Sequence, residues 1–430
     1  MYVAIIGSVF ILLLLGLPVA FTLGLVGVGI VAFSVSPEAA LLQIPQVAFK
    51  STNDAILVSL PAFILIGQVF LQSTIGERLF NLADKWLRHF PGGLAIGTVI
   101  VAAFFAAIVG SSMATVLAIG TIASVEMLKR GYPERLAYGV LAAAGSLGIL
   151  IPPSGPMILY GSMTNQSIER LFISGIVPGL LLSLLFIIWI VVGYRGKLPR
   201  AEKAPWSERV VALKESFWVL TIPVIILGGI YAGWFTPTEA ASVSFVLSLI
   251  IAMLIYRTTR PKDLIGIFQA AAASSGMLIF IIVGALLFGH GLTIVELPQQ
   301  ILAFVKGLQV SPWIVIIVIN IIYAIMGMFL ESISILLITT PIFFPIITGL
   351  GFDPIWFCVI TIVNLELGVI TPPVGLNLFA IMNITERMGR PASIITVSKA
   401  AVPFMFIIVV EIVTLSFFPQ IALWLPGTMK

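Results

Sequence analysis

Hydrophobic positions in this chain neither alternate nor, for most of its length, recur at a helical period; they run on without a break. Apolar stretches cover about 2–35, 55–74, 92–128, 136–163, 171–194, 217–235, 238–256, 264–293, 312–348, 354–382 and 398–425. Many exceed the roughly 20 residues that carry a helix across ~30 Å of hydrocarbon. The ~10-residue alternating segments of a membrane barrel are absent. The pattern predicts an all-α polytopic membrane protein. Two runs, 92–128 and 312–348, are too long for one crossing and are interrupted at mid-length, by Gly110-Ser111-Ser112 and by Gly327-Met328-Phe329-Leu330-Glu331-Ser332. A helix that stops inside the bilayer exposes backbone groups, tolerated only where protein or a water-filled cavity surrounds them. Each run is therefore expected to be a re-entrant hairpin. Segment 76–90 does show helical periodicity, with Leu79, Leu82, Ala83, Trp86 and Phe90 on one face and Glu77, Arg78, Asp84, Lys85 and Arg88 on the other. Such a helix is expected to lie in the membrane interface. Segment 294–308 holds the corresponding place in the second half and is less amphipathic.

Composition agrees with a bilayer environment: 60% of the residues are hydrophobic and 9% charged, against about 25% charged in soluble chains. The single Cys358 rules out a disulfide framework within the chain. Met1-Tyr2-Val3 carries no basic leader and no small-residue cleavage site follows, so the first run reads as a membrane helix, either one tilted span or two short ones broken at Gly16-Leu17-Pro18. If both long runs are hairpins, segments 76–91, 129–135, 195–214, 257–262 and 383–399 face one side and hold 18 of the 22 Lys and Arg residues. Only Lys50, Arg170, Lys306 and Lys430 remain opposite. The positive-inside rule places the rich side in the cytoplasm, which also accounts for a net charge of +4 without nucleic acid.

A shift of 220 residues aligns 111–163 with 331–383 without a gap. Nine of 53 positions are identical, five of them in Leu-Gly-x-x-x-Pro-Pro-x-Gly at 147–155 and 367–375. The hairpin interruptions coincide as well, Ser111-Ser112 above Glu331-Ser332. An odd number of crossings separates the two copies, so the repeats are expected to be inverted, and paired interrupted segments in two halves point to a transporter's central site. Each Pro-Pro ends a helix at mid-membrane. The following half-helix offers N–H groups to an anion, and the preceding one leaves carbonyl oxygens for Na⁺. Pro and Gly are also commoner in membrane helices generally and produce simple kinks; two such breaks, each preceded by an interrupted hairpin at equal spacing, favour the functional reading.

At these motifs the chain resembles the large membrane subunit of tripartite ATP-independent periplasmic (TRAP) transporters. The resemblance rests on FFAAIVGSSMATVLAIGT (104–121), GILIPPSGPMILYG (148–161), GWFTPTEAA (233–241) and NLELGVITPPVGLNLF (364–379), and spans essentially the whole chain. It implies two inverted repeats, with hairpins and broken helices forming a transport domain that moves as an elevator against a scaffold, coupled to Na⁺. It implies a soluble periplasmic substrate-binding protein and a small four-helix membrane subunit as partners. Because the chain begins at the large-subunit pattern, that subunit is expected to be a separate polypeptide. One Na⁺ site would use Ser111 and Ser112 with backbone oxygens near Gly148, Ile151 and Pro153; the other would use Gly327 with Gly368, Thr371 and Val374. The expected divisions are 1–90 (scaffold and arm helix), 91–165 (first transport half), 166–263 (connecting and scaffold helices with cytoplasmic loop 195–214), 264–311 (helix and second arm), 312–385 (second transport half) and 386–430 (C-terminal helix).

Individual polar residues sharpen the expectation. Glu331, an ionisable group at membrane depth, is a candidate to hold Na⁺ or a polar substrate group, although an acid there also suits a helix cap. Ser154, Ser332, Thr371 and Asn377 are further substrate candidates. Glu366 is nearly as deep, with a hydrogen bond inside its own domain as an equal explanation. Glu411 could pair with a neighbouring helix. Thr236-Pro237-Thr238-Glu239 reads as a capping box. His89 is expected to be solvated, and His290 has no visible metal partner. No phosphate-binding loop, zinc motif or catalytic constellation appears, so an enzyme ranks last. The reading is a Na⁺-coupled importer of a small organic acid (a C4-dicarboxylate, sialic acid or other sugar acid) across the bacterial inner membrane. A stand-alone anion symporter and an anion channel are the rivals.

Overall fold

The computed structural model describes residues 2–54 and 56–429; Lys430, counted above among the four outer cations, lies outside them. Among the described residues there are twenty α-helices. They are α1 (Tyr2–Leu14), α2 (Val19–Ser34), α3 (Pro37–Thr52), α4 (Ser59–Leu71), α5 (Ile75–Leu87), α6 (Gly93–Val109), α7 (Ser112–Lys129), α8 (Glu134–Ser146), α9 (Gly155–Thr164) and α10 (Ile168–Gly193). The rest are α11 (Trp206–Tyr231), α12 (Pro237–Ile250), α13 (Asp263–Ile294), α14 (Leu297–Gly307), α15 (Pro312–Gly327), α16 (Ser332–Gly349), α17 (Pro354–Val369), α18 (Leu376–Arg387), α19 (Ile394–Phe417) and α20 (Gln420–Leu423). Seven are long and apolar enough to cross a membrane, or eight when α4 and α5, bent by 66° at a short break, count as one.

Capping chemistry sets many of the starts. Ser36, Ser167, Asp353 and Ser393 each accept a hydrogen bond from the first turn of the helix they precede, satisfying N–H groups that have no partner within the helix. Thr236 and Glu239 form the complete capping box of α12. The open question over residues 2–35 resolves as two helices, with Gly16 at positive φ and Pro18 at the junction. Helix α3 was not foreseen: Glu38, Gln43, Gln46 and Lys50 interrupt its apolar pattern.

Small residues govern the closest packing, as between membrane helices generally. A Cβ on Gly27 of α2 would lie 2.5 Å from the Leu287 carbonyl of α13, so these helices touch at the backbone. Helix α5 packs on α6 and α11. Of its apolar face Leu79 and Ala83 are buried, Leu82 and Trp86 half-buried and Phe90 exposed, while Asp84, assigned to the polar face, is buried and bonds Arg130 at 2.5 Å. That hydrogen bond outweighs desolvation and raises the guanidinium above its usual range. Lys85 pairs with Glu208 of α11 on the same arm. His89 is not simply solvated: its Nδ1 lies 3.3 Å from the Arg209 guanidinium. Partial desolvation, then Arg209 and Lys203, hold its imidazole below the ordinary range.

Candidate functional site

Both long runs break where the sequence places the break. Helix α6 ends at Gly110, whose φ of +63° belongs to the left-handed region that costs an ordinary L-residue about 1–2 kcal/mol. A Cβ there would also lie 2.6 Å from the Pro153 carbonyl oxygen. Ser111 then caps α7, accepting from the Ala114 N–H. In the second half Glu331 holds the equivalent position and caps α16, its Oε1 accepting from the Ser334 N–H at 3.2 Å. The two Pro-Pro segments separate α8 from α9 and α17 from α18, and both Pro–Pro bonds are cis.

The Ser111-Ser112 turn rests directly on Gly148, where a Cβ would meet Ser111 carbonyl atoms at 2.7 Å and the Ser112 Cα at 2.8 Å. Ser111, Ser112, Gly148 and Pro153 are thus brought together. Ile151 is buried with its side chain toward Gly179 of α10. In the second half Gly327 and Gly368 meet backbone to backbone, a Cβ on either lying 2.5–2.7 Å from the other's Cα. The Val374 N–H bonds the Met328 carbonyl at 3.2 Å. Thr371 donates its hydroxyl to Leu367 O at 2.6 Å and its N–H to Gly368 O at 3.0 Å, so its side chain has only lone pairs left to offer.

A cavity of about 270 Å³ lies where these parts meet. The first residues of four helices line it: Ser112 of α7, Gly155 of α9, Ser332 of α16 and Leu376 of α18. No Lys or Arg is among its lining residues, and Glu331 is its one charged group. Positive potential there comes from helix N-termini, each equivalent to about half an elementary charge. Asn377 joins the halves: its Nδ2 donates to Ser112 Oγ at 2.8 Å and to Ala142 O at 3.2 Å. The cavity is also lined by α4, including Gln68, and by α13, including Ser274. These two side chains were missed, since nothing in the repeat pattern marks them.

Some candidates fall elsewhere. Ser154 does not line the cavity; it is fully buried, donates to Ile149 O at 2.5 Å and caps α9. Thr371, Gly327, Gly368 and Val374 also lie off the cavity wall. Glu366 and Glu411 are both 0% exposed, and none of their four carboxyl oxygens has a hydrogen-bond partner among the described residues. Neither the internal hydrogen bond considered for Glu366 nor the pairing considered for Glu411 is present. Asn364 is structural, donating to Asn320 Oδ1 at 2.7 Å and Ile360 O at 2.8 Å. No cluster of His, Cys, Asp or Glu suited to a metal ion occurs among the described residues.

The family profile described as "Tripartite ATP-independent periplasmic transporter, DctM component" matches residues 6–421. The chain belongs to this family. It is 41% identical over 380 residues to the C4-dicarboxylate TRAP transporter large permease DctM of Pseudomonas aeruginosa, covering 88% of each chain. It is 30% identical over 419 residues to the sialic acid TRAP transporter large permease SiaM of Vibrio cholerae, covering 96% of each. Among solved structures, the YdaH transporter of Alcanivorax borkumensis superposes with a TM-score of 0.65 at 14% identity, over 91% of this chain and 90% of that one. That likeness concerns the fold. The TRAP large permease described here is a multi-pass protein of the bacterial inner membrane and not an enzyme. Its family works with a small membrane subunit and a periplasmic binding protein.

Proposed function

We propose that this TRAP permease imports a small organic acid by Na⁺-coupled elevator transport, the two halves being inverted repeats with re-entrant hairpins. The observation that carries the proposal is the convergence of four helix N-termini on one cavity that α4 and α13 also line. Aimed N–H groups suit a carboxylate, and the lining supplies no side-chain cation to hold it instead. A C4-dicarboxylate is the preferred class because the DctM relative is more similar than SiaM; a sugar acid is the alternative.

Na⁺ is the coupling ion in this reading. Unwound carbonyls and hydroxyls beside broken helices provide hard oxygen donors. The first set is Ser111, Ser112 and backbone oxygens of Gly148, Ile151 and Pro153; the second is Gly327, Gly368, Thr371 and Val374. Thr371 fits as an acceptor because its proton is already engaged. Glu331 would repel a substrate carboxylate and attract a cation, so we assign it to electrostatic support of Na⁺ and not to the acid. The helices carrying the cavity's N-termini would move together past α4 and α13.

Uptake into proteoliposomes holding the permease with its small subunit tests this. Uptake that requires both an inward Na⁺ gradient and the binding protein supports the reading. Uptake with Na⁺ alone would instead mark a stand-alone symporter, and uptake needing neither a channel.

A further inference from the structure

A second cavity, of about 520 Å³, is lined in part by Lys50, which the charge pattern of the sequence assigns to the outer side. Two elements of the proposed scaffold line it, α3 through Gln43, Gln46 and Lys50, and α13 through His290 and Thr293. The C-terminal end of α9 and the middle of α16 form the other wall. Three helices therefore run from the central cavity to this one. Along α13 the distance from Ser274 to His290 is about 24 Å at 1.5 Å per residue, and both residues line their respective cavities.

The charge in this second space is one-sided. Lys50 and His290 line it, and no Asp or Glu does. Among the described residues Lys50 makes no ion pair. The carboxylate nearest in sequence, Asp54, does not line the space; its oxygens accept from the Ile56 N–H and the Ser162 hydroxyl, both at 2.8 Å. The threonine hydroxyls offer no proton: Thr164, Thr293 and Thr340 each donate to their own helix. Donors into the space are Lys50, His290 and the glutamine amides, and the Gln43 Oε1 is buried without a partner. The carbonyl end of α9 disfavours an anion, so Lys50 decides the sign. Lys50 is also one of the few cations that the charge pattern assigns to the outer side, 18 of the 22 Lys and Arg being assigned to the inner one.

We propose that this cavity is an outward-facing anteroom in which Lys50 and His290 take up the substrate's carboxylate on its way to the central cavity. The inference rests on the transport reading above, but its first test does not depend on transport. The only thiol of this chain, Cys358, is fully buried, so a cysteine placed at Thr293→Cys reports the cavity once labelling of the unsubstituted complex is subtracted. The permease and its small subunit are placed in nanodiscs without the binding protein. Labelling rates are then compared for anionic sulfonatoethyl and cationic trimethylammonium-ethyl methanethiosulfonate. With each rate divided by that reagent's rate with free 2-mercaptoethanol, the anionic reagent should be favoured about tenfold, and the ratio should fall several-fold when Lys50→Gln and His290→Gln are added. A ratio indifferent to both substitutions, or a thiol that neither reagent reaches, overturns the proposal; Gln46→Cys serves as the second position should Thr293→Cys fail to fold. In proteoliposomes with succinate as the probe, Lys50→Gln should raise the half-saturating concentration of loaded binding protein several-fold at unchanged maximal rate. Lys50→Arg should restore it, and an unchanged half-saturating value in Lys50→Gln counts against the anteroom. Absence of succinate uptake by the unsubstituted permease counts instead against the dicarboxylate reading, and the labelling ratio still decides the cavity.

Discussion

At Gly368 there is no room for a methyl group, because the Cα of Gly327 occupies the place. Backbone cannot swing aside as a side chain can, and inserting a carbon into a packed contact costs about 1–3 kcal/mol. Gly368→Ala should therefore leave a folded permease whose second hairpin is displaced, with uptake lost more than tenfold and only a modest fall in melting temperature. Wild-type uptake by that variant would sink the assignment of this contact to the transport site. Glu366 and Glu411 present the opposite problem, since their buried oxygens find no donor. Leaving such groups unsatisfied costs about 1–3 kcal/mol each, and apolar replacement of similar shape removes that cost. Glu411→Met should raise the melting temperature in detergent by about 2–4 °C; a fall would reveal a partner that the carboxyl finds in the assembled transporter. Residue chemistry was only partly legible beforehand. Ser112 and Asn377 each attract notice, but their mutual hydrogen bond spans 265 residues and no local pattern announces it. Ser154 was misassigned because a capping hydroxyl and a substrate-facing one look alike in sequence.

Among the elements, the two returning half-helices start on different caps at equivalent positions, Ser111 for α7 and Glu331 for α16. An N-cap is worth about 1 kcal/mol whichever side chain supplies the oxygen. The charge on Glu331 is thus separable from its cap. Glu331→Gln keeps an accepting oxygen and should preserve stability while weakening activation of uptake by Na⁺; Glu331→Ala should lose both. As a control, Thr236→Ala in the α12 capping box should cost about 1 kcal/mol of stability and leave Na⁺ activation unchanged. Equal Na⁺ responses in Glu331→Gln and wild type would show that the carboxylate acts only as a cap. Ser112→Ala and Ser332→Ala should each weaken Na⁺ dependence in the same assay. Breaks such as these were readable because Gly, Pro and hydroxyl residues interrupt long apolar runs. Helix α3 was not, since Pro45 and its polar side chains mimic a loop, yet Ser36 caps its start and it packs on α2 and α13.

For the whole molecule, what matters is which contacts must persist through a transport cycle and which must break. The α2–α13 seam is backbone against backbone at Gly27, a contact that offers no path for sliding. The contact between α4 and the first hairpin is looser: Gly67 meets Val109 chiefly through the valine side chain, and Gln68 and Met113 both line the cavity beside it. If the half-helices travel past α4, joining these two positions must arrest the cycle. Gln68→Cys with Met113→Cys provides two thiols on the cavity wall, while Cys358 stays buried and silent. Bridged by a flexible bis-maleimide, the pair should lose uptake almost completely. Either single variant treated with the same reagent should retain most of it, as should the unbridged double variant. Full uptake by the bridged permease would mean that the acid crosses a fixed pathway without relative motion of these parts. The elevator would then give way to a channel-like route, with the Na⁺ requirement measured separately deciding whether that route is coupled.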